Sequence, residues 1–107
     1  MIANPVRGEA ELLVGGERLV LRPSFQALVA TESELGSMFA LVERAAEGRL
    51  LLGEVATLFW HCGAAKPAML TRERIGEAVA ELGLARTAPV LKLLIAQILA
   101  GALPSAA

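Results

Sequence analysis

Glycines divide most of this chain into short segments, and their spacing is the feature that most limits how the chain can fold. From residue 24 onward, apolar residues recur three and four positions apart within each segment, which places them on one face of an α-helix. A glycine lies at or just beyond the end of each segment, where its tolerance of positive φ suits a helix C-terminus: Gly36, Gly48, Gly63, Gly83 and Gly101. We therefore predict four or five short helices, at about residues 24–35, 38–47, 53–64, 72–82 and 88–100.

Hydroxyl side chains precede four of these segments. Their oxygens can accept a hydrogen bond from a backbone N–H of the first helical turn, so we predict four N-caps: Ser24, Ser37, Thr71 and Thr87. A cap at Thr87 puts Pro89 in the first turn of the fifth helix, where proline is tolerated. The third helix has no such cap, because Leu51 or Leu52 stands at that position.

The segment before residue 23 has a different pattern. Gly15 and Gly16 separate two arms, residues 9–14 and 17–22, whose polarity partly alternates. Two adjacent glycines supply the positive φ values that a two-residue hairpin turn requires. We predict a β-hairpin at about residues 8–22 that packs on the helices, since an isolated hairpin is marginal in water.

The length of 107 residues fits one domain, residues 1–107, of a mainly α (α+β) class. Hydrophobic residues make up 55% of the chain but aromatic residues only 4%, so leucine, alanine and valine dominate. A small domain with this composition has more apolar surface than one core can hide. We therefore expect part of that surface to face a partner, including copies of the same chain.

The fifth helix is apolar around more than half of its circumference, which leaves two interpretations open. It is either the central helix of the bundle, which we favour slightly, or a helix that offers one face to a partner. Trp60 has two interpretations of equal weight, an interface anchor or a cover for the bundle edge. The residues we predict to bind a partner are Trp60, Leu91, Leu94, Ile95 and Ile98.

Groups suited to catalysis are scarce. The chain has no Tyr, no Asp, one histidine and one cysteine, and these two, His61 and Cys62, are adjacent on a helix and so point about 100° apart. We expect Cys62 on the core face and His61 at a helix surface or an interface, rather than a nucleophilic pair. A structural zinc site needs four ligands, and no phosphate-binding glycine motif occurs. We predict no catalytic residues, no metal and no cofactor.

Charge gives little support for nucleic-acid binding. Ten Lys and Arg residues balance eleven Glu residues, and the cations are scattered rather than clustered. One alternative stays open, a helix-turn-helix regulator using residues 75–100. Its second helix would be almost wholly apolar beyond Lys92 and Gln97, which is poorly suited to a DNA groove.

The sequence also bears on location. The first residues lack the apolar core of a signal peptide, and the apolar stretch from Ala88 to Leu103 contains Lys92 and is shorter than a membrane span requires. A single cysteine fits a reducing compartment. We expect a cytoplasmic protein with no membrane partner.

Several short motifs follow one another in a recognisable order. They are Asn4-Pro5-Val6-Arg7-Gly8-Glu9, Leu21-Arg22, Ser24-Phe25-Gln26-Ala27-Leu28, Glu34-Leu35-Gly36, Glu43-Arg44, Glu47-Gly48-Arg49-Leu50 and Glu54-Val55. In this order and spacing the chain resembles the gene-transfer-agent "tail tube" family, which is encoded between tail-tube and tape-measure genes in alphaproteobacterial prophage-like clusters. The resemblance covers about residues 3–65.

The resemblance implies a non-enzymatic role in phage-like tail assembly, either as a tail assembly chaperone or as a minor tube component. The implied partners are tail tube and tape-measure proteins, and the implied location is the cytoplasm of a bacterial host or a virion-like particle. The sequence departs from the family pattern at Leu51 and Leu52, where a capping serine or threonine is usual before the third helix. A chaperone of a long helical client needs apolar surface and no chemistry, which agrees with the composition.

Overall fold

The computed structural model describes residues 9–101, and it confirms the predicted class, a hairpin followed by five helices. The strands are β1 (Ala10–Val14) and β2 (Glu17–Leu21). The helices are α1 (Phe25–Leu35), α2 (Met38–Ala46), α3 (Leu52–Cys62), α4 (Arg72–Leu82) and α5 (Leu84–Ala100). Residues 4–8, which include the predicted start of the hairpin and all of the first family motif except Glu9, lie outside the described residues.

The hairpin has the predicted two-residue turn. Gly15 and Gly16 have φ of 59° and 84°, values that an L side chain tolerates poorly, and Val14 pairs with Glu17 directly beside them. The register runs from this pair to Ala10 opposite Leu21. One face of the hairpin is therefore apolar and packs on the helices.

The second edge of β2 is partly occupied by the chain that leaves α3. The Arg22 N–H donates to the Cys62 carbonyl at 2.7 Å, and the Ala64 N–H donates to the Val20 carbonyl at 2.8 Å. Gly63 lies between these two bonds and pairs with Leu21 as an isolated bridge. Backbone hydrogen bonds therefore fix the end of α3 to the hairpin.

α3 is the central helix. Six of its residues are buried, among them Leu58, Phe59 and Cys62 at 2% exposure or less, whereas α5 buries only Thr87 and Leu94. α3 packs against α1 and α4, and α5 packs against α4 and β1. The slightly favoured interpretation of α5 as the central helix was wrong, because an apolar composition does not decide which helix lies in the middle.

α5 also begins four residues earlier than predicted. Its first residue is Leu84, its N-cap is Gly83, and Thr87 lies inside the helix with its hydroxyl donating to the Gly83 carbonyl at 2.8 Å. Pro89 is therefore inside the helix rather than in its first turn. The predicted cap at Thr87 was wrong because a threonine hydroxyl bonds equally well to the carbonyl four residues back.

The other three hydroxyl caps are confirmed. Ser24, Ser37 and Thr71 each accept a hydrogen bond from the N–H three residues on. At α3, where this hydroxyl is missing, Glu54 bonds back to the Leu51 N–H at 2.9 Å. An acidic side chain in the first turn thus replaces part of the missing cap.

Within residues 9–101, no single helix is long and apolar enough to cross a membrane. α4 and α5 meet that length and composition only when taken together, as a pair bent by 120°.

Candidate interaction surface

Nine large apolar side chains are exposed among the described residues, and they lie on several elements. The two most exposed are Phe39 at 87% and Phe25 at 82%. The others are Leu13, Val29, Leu51, Leu52, Met69, Leu84 and Leu99. The core is nevertheless closed, with Phe59, Leu21 and Ile75 at 0% exposure. Apolar surface left over from such a core is a candidate for contact with other proteins.

One group of exposed residues lies on α1 and α2. Phe25, Val29 and Glu32 are four and three residues apart, so they share one face of α1. The Glu32 carboxylate accepts the Met38 N–H at 2.9 Å, which joins the Glu32 end of this face to the start of α2, one residue before Phe39. Glu43 lies one turn beyond Phe39 on α2. We name Phe25, Val29, Glu32, Phe39 and Glu43 the α1–α2 corner.

Sequence reasoning did not find this corner. The apolar spacing in α1 includes Phe25 and Val29, but the residues that α1 buries are Ala27 and Thr31. Thr31 is fully buried because its hydroxyl donates to the Ala27 carbonyl at 2.8 Å, which satisfies its polar atom inside the helix. The signal that could have found the corner is positional, since both phenylalanines lie in the first turn of their helices.

A second exposed surface runs along α5. Ala85, Pro89, Lys92, Ala96 and Leu99 repeat at spacings of four and three, and all five are exposed. They form one stripe on the side of α5 away from Leu94, with Lys92 at its centre. We name these residues the α5 outer face. α5 contains no acidic residue.

The predicted partner-binding residues of α5 lie beside this stripe or beneath it. Leu91, Ile95 and Ile98 are half-buried and pack against the core, so only part of each side chain is available. Leu94 is 0% exposed. It belongs to the interior of this chain and is not available to a partner in this conformation.

Trp60 covers the edge of the bundle. Its ring is half-buried against the core cluster, and the Lys66 ammonium lies 4.8 Å from the ring centroid. The same ammonium donates to the carbonyls of Trp60 and Gly63 at 3.1 and 3.3 Å, which closes the end of α3. Part of the Trp60 side chain therefore stays exposed.

A groove of about 460 Å³ lies between the hairpin turn and the loop that joins α3 to α4. Val14 and Leu19 form one side, and Met69 and Leu70 form the other. Met69 is 80% exposed, and Arg74 also lines the groove. The groove is a third place where an apolar side chain of another protein could bind.

An acidic side chain at the surface links three helices. Glu34 of α1 accepts two hydrogen bonds from Arg72 of α4, and its Oε2 lies 2.6 Å from Nε2 of His61 on α3. The hydrogen bonds from Arg72 and His61 lower the pKa of Glu34 to about 2. The carboxylate is therefore ionised at neutral pH, and His61 is engaged in a structural contact.

The neighbouring thiol is poorly placed for chemistry. Cys62 is 1% exposed, and burial raises its pKa to about 12, so it is a neutral thiol near pH 7. His61 bonds to Glu34 rather than to Cys62. Among residues 9–101, no group of three or more His, Cys or Glu side chains is arranged to hold a metal ion.

Comparison with known proteins adds the identity that this geometry alone does not give. The profile of a family described as "Phage tail tube protein, GTA-gp10" matches the chain over residues 7–101. The chain belongs to this family. It is therefore a tail component of phages and gene transfer agents. None of the curated proteins and none of the solved structures matches it significantly.

The family match reaches further along the chain than the motifs do. The resemblance drawn from short motifs covers about residues 3–65, whereas the match continues through α4 and α5 to residue 101. Both strands and all five helices therefore belong to the family's shared region, and so do the α1–α2 corner and the α5 outer face. The exposed apolar residues lie within the tail tube family domain rather than on an appendage.

The structure does not favour the helix-turn-helix alternative for this family member. α4 and α5 do meet at 120°, an angle found in such motifs. However, Leu94 lies in the core and Leu91 and Ile98 pack on it, which leaves Arg86 and Lys92 as the exposed cations of α5. Two cations on an otherwise apolar helix provide little for phosphates or base edges.

Proposed function

We propose that this protein is a tail assembly chaperone that binds the tape-measure protein and acts without catalysis. The observation that supports it is the set of large apolar side chains exposed on a closed, charge-balanced core. A protein that protects an aggregation-prone client needs apolar contact area that its own folding does not consume. Membership in a tail tube family supplies the assembly in which such a client occurs.

The expected client is long and helical, so the binding mode we propose is a helix packed along an exposed helix or groove. The α5 outer face, with Leu99 at 70% exposure, offers a stripe of suitable length. Leu91, Ile95 and Ile98 border it, and we propose that their exposed parts add to the contact. Trp60 is proposed as an anchor at the bundle edge.

A non-catalytic role agrees with the chemistry of the described residues. His61 is held by Glu34, and the Cys62 thiol is buried with a raised pKa. The carboxylates of Glu9, Glu11, Glu34, Glu47 and Glu54 are engaged in ion pairs. These contacts stabilise the fold and place no pair of groups where one could activate the other.

Co-expression tests the proposal. The tagged protein is produced with the products of the neighbouring tape-measure and tube genes, and captured proteins are identified by mass spectrometry. We expect the tape-measure protein to be captured by the native chain and lost with Leu99→Glu. Leu13→Glu, at an exposed leucine on the hairpin, is the matched control and is expected to retain capture. Capture of neither gene product by the native chain would exclude the proposal.

The family description favours one other candidate, a minor component of the tail tube. A chaperone leaves when assembly ends and stays in the bacterial host, whereas a tube component remains in the finished particle. Mass spectrometry of purified particles separates the two. Peptides of this chain at a fixed ratio to the major tube protein would replace the chaperone proposal with the tube component.

A further inference from the structure

The groove between the hairpin turn and the α3–α4 loop has arginines as well as apolar walls. Arg18 lines it from β2, and Arg74 lines it from α4. Arg74 is exposed and forms no ion pair among residues 9–101. The Arg18 Nε lies 3.9 Å from Oε1 of Glu11, a distance at which an exposed ion pair contributes little. Both guanidinium groups are therefore available to an anion in the groove.

Both walls of the groove are held in place by backbone hydrogen bonds. On the hairpin side, Val14 pairs with Glu17 in the register of the two strands. On the loop side, the Ala64 N–H donates to a β2 carbonyl at 2.8 Å, and the Leu70 N–H donates to the Pro67 carbonyl at 3.0 Å. A preformed site loses less conformational freedom on binding than a flexible loop does. The groove is thus built to accept a ligand without refolding.

We propose that this groove binds a peptide segment of another protein in which a carboxylate side chain lies beside a large apolar side chain. The apolar side chain would lie between Leu19 and Leu70, on opposite walls of the groove. Met69, a flexible side chain that is 80% exposed, would cover it. The carboxylate would accept hydrogen bonds from Arg74 and Arg18. A guanidinium can donate two parallel bonds to one carboxylate, which fixes the orientation of the peptide.

Glu17 limits the charge of the ligand, because it lines the same groove as the two arginines. Two cations and one anion leave a single positive charge, which one carboxylate of a peptide balances. The closely spaced phosphates of a nucleic acid would be repelled by Glu17 and would gain nothing from the apolar walls. The groove is also partly open to solvent, so the chain on either side of the bound residues has room to leave.

The groove is separate from the surface proposed for the client. Its lining residues come from the hairpin, the α3–α4 loop and the start of α4, and none of them belongs to α5. A protein with two separate binding surfaces can hold two partners at the same time. The inference goes beyond the proposed function and does not depend on the identity of the client.

A random peptide library displayed on phage and selected on the immobilised full chain supplies the probe. We expect the selected peptides to share a glutamate or aspartate beside a leucine, isoleucine, methionine or phenylalanine. The peptide that binds most tightly is synthesised in two forms, one with the acidic residue and one with the corresponding amide. By fluorescence anisotropy, the amide form should bind roughly tenfold more weakly or worse, the scale of a lost hydrogen bond between charged groups.

Replacing the arginine of α4 tests the charged contact. Arg74→Gln should weaken binding of the acidic peptide by a similar factor and leave binding of the amide form unchanged. Arg86→Gln, at an exposed arginine of α5 outside the groove, is the matched control and should change neither. Arg74→Glu should instead prefer a third form of the peptide with lysine at the acidic position. Damage to the fold would not produce such a reversal of preference.

The apolar contact is tested in the same way. Met69→Ala should weaken binding of all forms of the peptide, because it removes apolar contact and leaves the arginines in place. Leu51→Ala removes a similarly exposed side chain at the start of α3 and should have no effect. In an NMR titration of the native chain, the amide signals of Gly15 and Met69 should shift on addition of the acidic peptide. Circular dichroism checks that each variant is folded.

Other outcomes overturn the proposal. They are selected peptides without a common acidic residue, or peptide-induced shifts that lie on α5 or α1 rather than at the groove. Shifts of the same groove signals on concentrating the protein alone would mean that a second copy occupies the groove. Equal shifts with octanoate would mean that the groove takes a small apolar acid. Client capture is tested through Leu99 and peptide binding through Arg74, so either proposal can fail without the other.

Discussion

Arg72 holds Glu34 with both terminal nitrogens of its guanidinium, Nη1 at 2.5 Å from Oε1 and Nη2 at 3.0 Å from Oε2. This pair of parallel bonds joins α1 to α4, which are 38 residues apart in the chain at these positions. His61 of α3 adds a third contact to the same carboxylate. Bidentate geometry fixes orientation as well as distance, so three helices are held in register by one side chain.

The first prediction concerns acid stability. Contacts with Arg72 and His61 lower the pKa of Glu34 from 4.5 to about 2, so the folded protein binds this proton less readily than the unfolded chain. The stabilisation is therefore complete above the unfolded value and is lost as the pH falls from 4.5 toward 2. Urea denaturation at a series of pH values should show the unfolding free energy decreasing over this range.

Glu34→Gln identifies the carboxylate responsible. The variant should be less stable than the native protein near pH 7 and should lose less stability on acidification, so the two curves should converge at low pH. Glu43→Gln, at a carboxylate with no cationic partner among residues 9–101, should follow the native curve. Parallel curves for the native protein and Glu34→Gln would show that Glu34 does not contribute in this way.

The second prediction concerns the start of α3. Glu54 bonds to Arg44 at 2.8 and 2.7 Å and to the Leu51 N–H at 2.9 Å, so it serves as a helix cap and joins α2 to α3. These contacts lower the pKa of Glu54. We expect Glu54→Ala to reduce the unfolding free energy by about 1 kcal/mol, the scale of a lost helix cap. Chemical denaturation measures it.

Glu47→Ala is the matched control for this position. Glu47 pairs with Arg49 at 2.9 Å, but both side chains are more than half exposed, so its removal should have almost no effect. A double-mutant cycle with Arg44→Met separates the two roles of Glu54. If Glu54→Ala no longer lowers the unfolding free energy once Arg44 is replaced by Met, the Glu54 carboxylate does not stabilise α3 as a cap by itself.

The number, order and approximate bounds of the elements were predictable because local signals set them. The Gly15-Gly16 turn, the glycines after the helices and the serine caps all act within a few residues along the chain. Which face of a helix turns inward is set by neighbours distant in sequence. Ala27 and Thr31 of α1 are buried instead of Phe25 and Val29. Thr31 became available to the core only because its hydroxyl is satisfied within the helix.

The candidate site was less accessible to sequence reasoning for the same reason. Leu91, Leu94, Ile95 and Ile98 have the apolar spacing of an interface, but this spacing is identical for a face that packs on the chain's own core. Leu94 is fully buried whereas the other three are half-buried, and this difference follows from where α4 and β1 pack, which the sequence does not show. The exposed face of α5 was hidden by its composition, since alanine and proline give no strong signal.

The third prediction compares two leucines of α5. Leu94 is 0% exposed and Leu99 is 70% exposed, although they are five residues apart on the same helix. Leu94→Ala should reduce the unfolding free energy by about 2–5 kcal/mol, because it removes buried contacts and leaves a cavity. Leu99→Ala should change it by less than about 0.5 kcal/mol. Equal losses would mean that α5 packs in another orientation.

The same denaturation curves test the predicted single-domain organisation of residues 1–107. One domain should unfold in a single cooperative transition that is the same by fluorescence of Trp60 and by circular dichroism. Two separate transitions, with Leu94→Ala shifting only one of them, would show that the chain folds in two units.

The fourth prediction compares the effect of an alanine at two glycines. Gly53 lies in the first turn of α3, and Gly63 directly follows α3. A Cβ at Gly63 would lie 3.1 Å from one methyl carbon of Leu19 and 3.3 Å from Cγ of Lys66, where the chain meets β2. A Cβ at Gly53 would meet nothing within 4 Å. We expect Gly53→Ala to stabilise the protein by about 0.5–1 kcal/mol through the higher helix propensity of alanine. Gly63→Ala should destabilise it.

Thermal unfolding distinguishes the two substitutions by the direction of the change in Tm. Gly83→Ala provides a further comparison, because Gly83 has a φ of 91° and its substitution strains the backbone although no atom obstructs it. A Gly63→Ala variant as stable as Gly53→Ala would show that Leu19 shifts without cost, and that the contact between α3 and the hairpin is looser than the distances indicate.

The last prediction concerns the reactivity of Cys62. Its side chain is buried and its pKa is raised to about 12, so a thiol reagent must wait for the protein to open. Modification of the native protein by iodoacetamide at pH 8, followed by mass spectrometry, should be far slower than in urea. Leu94→Ala should accelerate it, because a less stable core opens more often. The Glu34→Gln variant should accelerate it to a smaller degree. A native chain that reacts as fast as the denatured one would place the thiol at the surface, and it would favour a chemical role for the His61-Cys62 pair.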